Sequence, residues 1–334
     1  MTRLDADEAV TTAVGQAQEP ASGGDGPRAL LLEAREVPLG GVRAMSVRRA
    51  LPQRDLPLVG AWCFLDRFGP QVTRMRVEPH PHIGLQTVTW PFQGDVRHRD
   101  SIGSDVMVRR GALNLMTSGA GISHSEYSKG EDAAPLDALQ LWVALPESRR
   151  HGAPAFEQHS VLPEVVLAAE SGADGAAAVV LGEFAGVASP ATTYTPIVGA
   201  EVRVPPGSRL RLPLRPDWEH ALVGVEGDLA VHTETEGDVG LDDAHLLYLG
   251  LRRDHVDVSS AGGATLFLLG GEPFEDDIVM WWNFVGRTHE EIVEAREAWE
   301  AGGERFGHVV DHGDERIPAP PLPAVRLTRR RRRV

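Results

Sequence analysis

Two short sequences, His80-Pro81-His82 and His124-Ser125-Glu126, constrain this chain more than any other feature, because each places ionisable side chains at i and i+2. Alternate residues of a β-strand project from one face, so His80 and His82 point together, as do His124 and Glu126. Two antiparallel strands carrying these pairs side by side inside a barrel would aim three imidazoles and one carboxylate at a single point. Neutral imidazole suits Fe, Ni, Cu or Zn, and a carboxylate oxygen adds tolerance for Fe(II) or Mn. Four protein ligands leave exchangeable positions only on a metal that prefers five or six, which favours iron. A lone His-x-His would read as a turn; the second pair moves the reading to a metal centre.

The flanking sequence is that of short strands. Residues 42–49 alternate apolar and polar, 59–66 are apolar enough to be buried on both faces, and 85–92 are β-branched and aromatic. Gln93-Gly94-Asp95 turns the chain back, and residues 96–100, 106–108, 113–116 and 139–145 continue the rhythm. Strands this short, with glycine at almost every turn, indicate a sandwich or barrel. Past about Phe156 the pattern starts again, at 165–168, 177–181, 202–204, 210–212, 221–225 and 229–232. A chain of 334 residues has room for two such domains. One helix is expected: Thr288 and Glu291 form a capping box, and Ile292, Ala295 and Trp299 share a face until Gly302-Gly303 ends the run.

Composition excludes several classes. Apolar residues make up 42% and charged residues 24%, as in soluble globular proteins. No apolar run reaches the length of a membrane span and the first residues lack the features of a signal peptide, so a cytoplasmic protein is expected. Cys63 is the sole cysteine, which rules out an internal disulfide and reads as a small core residue. The net charge of -15 already counts the five arginines 329–333, so the body is more acidic still and direct nucleic-acid binding is not expected. Residues 1–28 read as a disordered leader, and the proline-rich and arginine-rich residues 311–334 as a solvated, disordered tail. No Ser-His-Asp order, phosphate-cradling loop or nucleotide fingerprint occurs, so catalysis would rest on the metal.

The order of motifs is similar to that of the pirins, which are two-domain cupins. Residues 79–88, Gly94-Asp95, His98-Arg99-Asp100, residues 119–126 and residues 139–143 carry the resemblance, which runs from about Arg35 to about Phe306. It implies an all-β bicupin with a short C-terminal helix: a metal-binding cupin at 29–146, a linker at 147–156, and a second cupin without metal plus the closing helix at 157–310. Gly227-Asp228 answers Gly94-Asp95, but residues 213–217, where a second His-Pro-His would fall, contain no histidine. His220, His232, His245 and His255 form no i, i+2 pair and are expected to be structural.

Carried over residue by residue, the pirin iron ligands fall on His80, His82, His124 and Glu126. Gln86 stands where the general cupin pattern has glutamate, and is expected beside the metal with His98, Gln140 and Trp142. The resemblance implies Fe(II), with Ni, Cu, Mn, Co or Zn as alternatives, in a monomer. It also implies an oxidoreductase of the quercetin 2,3-dioxygenase type, taking O₂ and a small aromatic substrate. The alternative is a non-enzymatic, redox-sensing regulator that binds a transcription factor or metabolic enzyme. Glu126 has two readings, a fixed ligand or a catalytic carboxylate that accepts a phenolic proton.

Overall fold

The computed structural model describes residues 26–39, 45–234 and 236–330. Two β-barrels form the body. In the first, a seven-stranded sheet runs in the spatial order Ala155–His159, Leu113–Thr117, Leu85–Gln93, Ala134–Ala144, Trp62–Thr73, Met45–Leu51, Arg35–Leu39. It is faced by a four-stranded sheet of Arg76–His82, Ile122–Ser128, Val96–Asp100 and Asp105–Val108. The second barrel sets an eight-stranded sheet, centred on Glu219–Glu226 and Ala264–Gly271, against one of five strands. This is the all-β, two-barrel architecture that the resemblance implied.

The large sheets pack back to back, because each turns an apolar face to the other. Val88, Trp90, Leu139 and Leu141 of the first barrel meet Ala221, Val223, Phe267 and Leu269 of the second in one buried cluster. Along Leu85–Gln93 the alternation is decisive: Val88 and Trp90 face the other barrel, while Thr89 faces inward and bonds Gln140 and Glu126. The second barrel fills its interior with Leu210, Leu212, Val256 and Val258, all buried. Of its histidines, His220 is buried, while His232, His245 and His255 pair with Asp238, Asp242 and Asp254. None belongs to a group of three metal-capable side chains among the described residues.

Three features depart from the expected chain order. Residues 1–25 of the expected leader lie outside the described residues, but Pro27 and Arg28 already belong to the strand Pro27–Glu33. That strand pairs with His245–Gly250, Leu31 opposite Leu247, and so sits in the second barrel's sheet. Ala155 and Phe156, expected in the linker, begin a strand that extends the first barrel beside Leu113–Thr117.

The expectation of a free C-terminal tail is corrected over the described residues. Ile317 N donates to Pro79 O at 2.8 Å, Trp299 Nε1 to Ile317 O at 2.9 Å, and Arg330 N to Ile278 O at 2.9 Å. Composition reads such a segment as solvated, but it finds carbonyls and an indole to bond, and its own Ala319 is buried in the cluster with Trp299 and Phe306. Arg331–Arg333 lie outside the described residues.

The helix spans His289–Glu300 and is capped by Thr288, whose hydroxyl accepts from Glu291 N; Ile292, Ala295 and Trp299 are its buried face. No helix among the described residues is long and apolar enough to cross a membrane.

Candidate metal centre

The strand Ile122–Ser128 lies between Arg76–His82 and Val96–Asp100. His124 stands opposite His80 on one side and Asp100 on the other, while Glu126 stands opposite Val77 and His98. A bulge between His124 and Glu126 shifts the first pairing. Gly119, with positive φ, turns the chain just before this strand; a Cβ there would lie 2.1 Å from Gly152 O.

Inside the barrel, the ring centroids of His80, His82 and His124 lie 4.3–5.1 Å apart. His80 Nδ1 is 2.9 Å from Glu78 O and must donate to it, leaving Nε2 with the lone pair. His82 Nε2 and His124 Nε2 face each other at 3.0 Å. Two nitrogens bound at right angles to one metal, with bonds of about 2.1 Å, stand about 3.0 Å apart, so this spacing fits a shared divalent ion. Burial supplies the protonation state that ligands need. It lowers His80 to about 4 and holds His82 and His124 well below the usual histidine range.

Glu126 sits differently. Candidate ligand atoms of His80, His82 and His124 lie within 4.8 Å of one another, and so do those of His98, His124 and Glu126. The two groups share His124, and the carboxylate lies on the His98 side. Burial raises the Glu126 carboxyl, while His98 and the Thr89 hydroxyl, 3.4 Å away, oppose the shift. The result is a buried carboxylate more basic than usual, beside the three-histidine group.

The other expected neighbours divide. Trp142 sets its ring edge-on to His82 at 5.2 Å and stacks on Phe64 at 3.9 Å, and Gln140 reaches Glu126 through Thr89. Gln86 does not join them: its amide bonds Thr117 Oγ1 and Thr192 O, because a strand residue one step from Thr87 points to the opposite face. Sequence reasoning missed Asp100, Thr89 and Phe156. Asp100 was within reach of the same spacing rule, since His98-Arg99-Asp100 is a third i, i+2 pair. Cys63 is buried and its thiol is pushed up to about 12 by that burial, which makes it inert.

The neutral histidines make the metal-free protein sensitive to acid. His80 and His220 are each lowered to about 4 by burial, whereas an unfolded histidine titrates near 6.5. Below that value the unfolded chain binds more protons, so stability is full above about pH 6.5 and falls towards pH 4 by about 1.4 kcal/mol per pH unit per histidine. Thermal unfolding of metal-free protein should show a lower Tm at about pH 5 than at about pH 7.5. Equal values would contradict neutral burial.

Comparison with known proteins agrees with this architecture. The family model described as Pirin matches residues 44–143, and that described as Pirin C-terminal cupin domain matches 199–307. A Pseudomonas aeruginosa protein named "Putative quercetin 2,3-dioxygenase" is 42% identical over 294 residues, covering 87% of this chain and 89% of that protein. A pirin-like protein of Caulobacter vibrioides is 33% identical over 302 residues, covering 87% and 99%. The crystal structure of a quercetin 2,3-dioxygenase from Acinetobacter baumannii superposes with a TM-score of 0.81 at 36% identity, covering 90% of this chain and 97% of that one. With both barrels matched in order and relatives this similar along nearly their whole length, the chain belongs to the pirin family.

Proposed function

We propose that this pirin is a metal-dependent dioxygenase of the quercetin 2,3-dioxygenase type, acting on a flavonol or related aromatic with O₂. The convergence of three neutral imidazoles beside a basic carboxylate carries the reading, and the similarity to the Acinetobacter baumannii quercetin 2,3-dioxygenase structure supports it. His80, His82 and His124 would hold the metal, with Fe(II) the expected ion. The bound metal supplies electron transfer between substrate and dioxygen.

The chain's own residues supply the rest. Glu126 is placed to take the proton of a phenolic hydroxyl, since burial has raised its basicity and Thr89 anchors one oxygen. Trp142 and Phe64 form a flat aromatic wall against His82, suited to a planar ring. Of the six polar side chains here, His80, His82, His98, Asp100, His124 and Glu126, none is more than 7% exposed, so bulk water is excluded.

The test is anaerobic reconstitution with Fe(II) followed by an oxygen-electrode assay with quercetin. The wild type should consume O₂ in a metal-dependent and substrate-dependent manner, and His80→Ala should not. Glu126→Ala separates the two parts open to the carboxylate. Retained metal with lost uptake identifies the proton acceptor, and loss of both identifies a ligand. A fully metallated wild type without uptake would sink the enzymatic reading and leave the redox-dependent regulator.

A further inference from the structure

The strand Val96–Asp100 brings a third i, i+2 pair, His98 and Asp100, to the interior face that carries His124 and Glu126. Asp100 Oδ1 accepts from Ile102 N at 3.1 Å and Ser104 N at 2.9 Å, and Oδ2 lies 3.1 Å from His98 Nε2. Burial pushes the Asp100 carboxyl up, but hydrogen bonds from His98 and Ser104 outweigh it and hold the group below its ordinary value. A carboxylate only accepts, so the His98 tautomer that fits this contact has its proton on Nε2 and its lone pair on Nδ1. His98 Nδ1 is 3.3 Å from His124 Nδ1, which therefore donates. His124 Nε2 is left with the lone pair, facing His82 Nε2 at 3.0 Å. Phe156 stacks on His98 at 4.5 Å and 20°, fixing the plane of the ring through which this order passes.

We infer that His98 and Asp100 are positioning residues: through two successive hydrogen bonds they fix the tautomer of His124 and aim its Nε2 lone pair at the metal. The inference rests on the metal-centre reading above and extends it to residues outside the ligand set. A partner behind a ligating histidine fixes its ring and tautomer, and losing such a partner typically costs about 10–100-fold in metal affinity. Here the partner is itself a histidine, whose own tautomer is set by Asp100. One proton misplaced at the Asp100 end is thus transmitted to the ligand.

Asp100→Asn tests this without removing a ring. Ile102 N and Ser104 N both need an acceptor, so they keep the amide oxygen and the new NH₂ group faces His98 Nε2. That nitrogen must then accept, His98 Nδ1 becomes the donor, and His124 is driven to carry its proton on Nε2, where it cannot ligate. Competition titration with Co(II) should show about 10–100-fold weaker binding in Asp100→Asn and in His98→Leu. His98→Gln should recover much of the loss, because its amide oxygen can accept from His124 Nδ1. Proton NMR of the Co(II)-loaded wild type should show a shifted, slowly exchanging His124 N–H that is absent in Asp100→Asn. Thermal unfolding of the metal-free variants verifies that each is folded.

Wild-type Co(II) affinity and an unchanged spectrum in Asp100→Asn would overturn the inference while leaving the metal centre standing. Glutamine at 98 as weak as leucine would also overturn it, since packing alone would then explain the loss. A wild type that binds no Co(II) would overturn the metal centre and this inference together.

Discussion

Alanine at position 124 is expected to abolish stoichiometric metal binding and, with it, any metal-dependent O₂ uptake. His124 is the one side chain common to both groups of candidate ligands, with His80 and His82 on one side and His98 and Glu126 on the other. Its loss leaves His80 and His82 without the third imidazole, and the carboxylate remaining on Ile122–Ser128, Glu126, groups with His98 and not with them. Residues that merely support ligands are worth about 10–100-fold in affinity, so removing a ligand should cost more than about 100-fold. The metal-free fold should survive, because the His124 ring packs among the imidazoles of His80, His82 and His98 and not in an apolar cluster. Elemental analysis after reconstitution, with circular dichroism on the same sample, checks both halves. One metal per chain retained in a folded His124→Ala protein would remove the site described here.

The centre was legible because period-two spacing is a local property of a strand: His80, His82, His124 and Glu126 could be paired before any partner strand was known. Which strands lie side by side is set by long-range register, and there the sequence falls silent. Nothing local says that His98 stands opposite Glu126, or that a bulge sets Glu126 opposite Val77 on the other side. Gln86 shows the limit from the other side, since an error of one residue in phase moves a side chain through the sheet. Composition reads residues 27 and 28 as leader, and nothing local says that Pro27–Glu33 is a strand of the second barrel, where Glu33 lies 212 residues from its partner His245. The C-terminal segment misled for a different reason. Proline-rich composition forbids a helix or central strand, but not an extended strap that bonds through Ile317 and Arg330.

Trp62→Ala should be the most damaging single change to stability, because this residue joins the two barrels. Its side chain is fully buried in the cluster between the large sheets. Its indole Nε1 donates to Val198 O at 3.1 Å and Gly270 O at 3.2 Å, both in the second barrel. The fit is close: a Cβ added at Gly199 would lie 3.0 Å from the Trp62 ring. Truncating a buried tryptophan costs about 3–5 kcal/mol, from lost transfer energy and from the cavity left behind. The cavity will not collapse easily, since the backbones around it are held by sheet pairing and by Glu219, which accepts from Gly60 N at 2.8 Å and Tyr248 O–H at 2.7 Å. Urea denaturation should show a fall of that size. The variant should also unfold in two separated steps, as expected when the cluster coupling the barrels is weakened. A loss below about 1 kcal/mol would mean that the interface repacks, and that the barrels are held together by the surrounding leucines and valines and not by this indole.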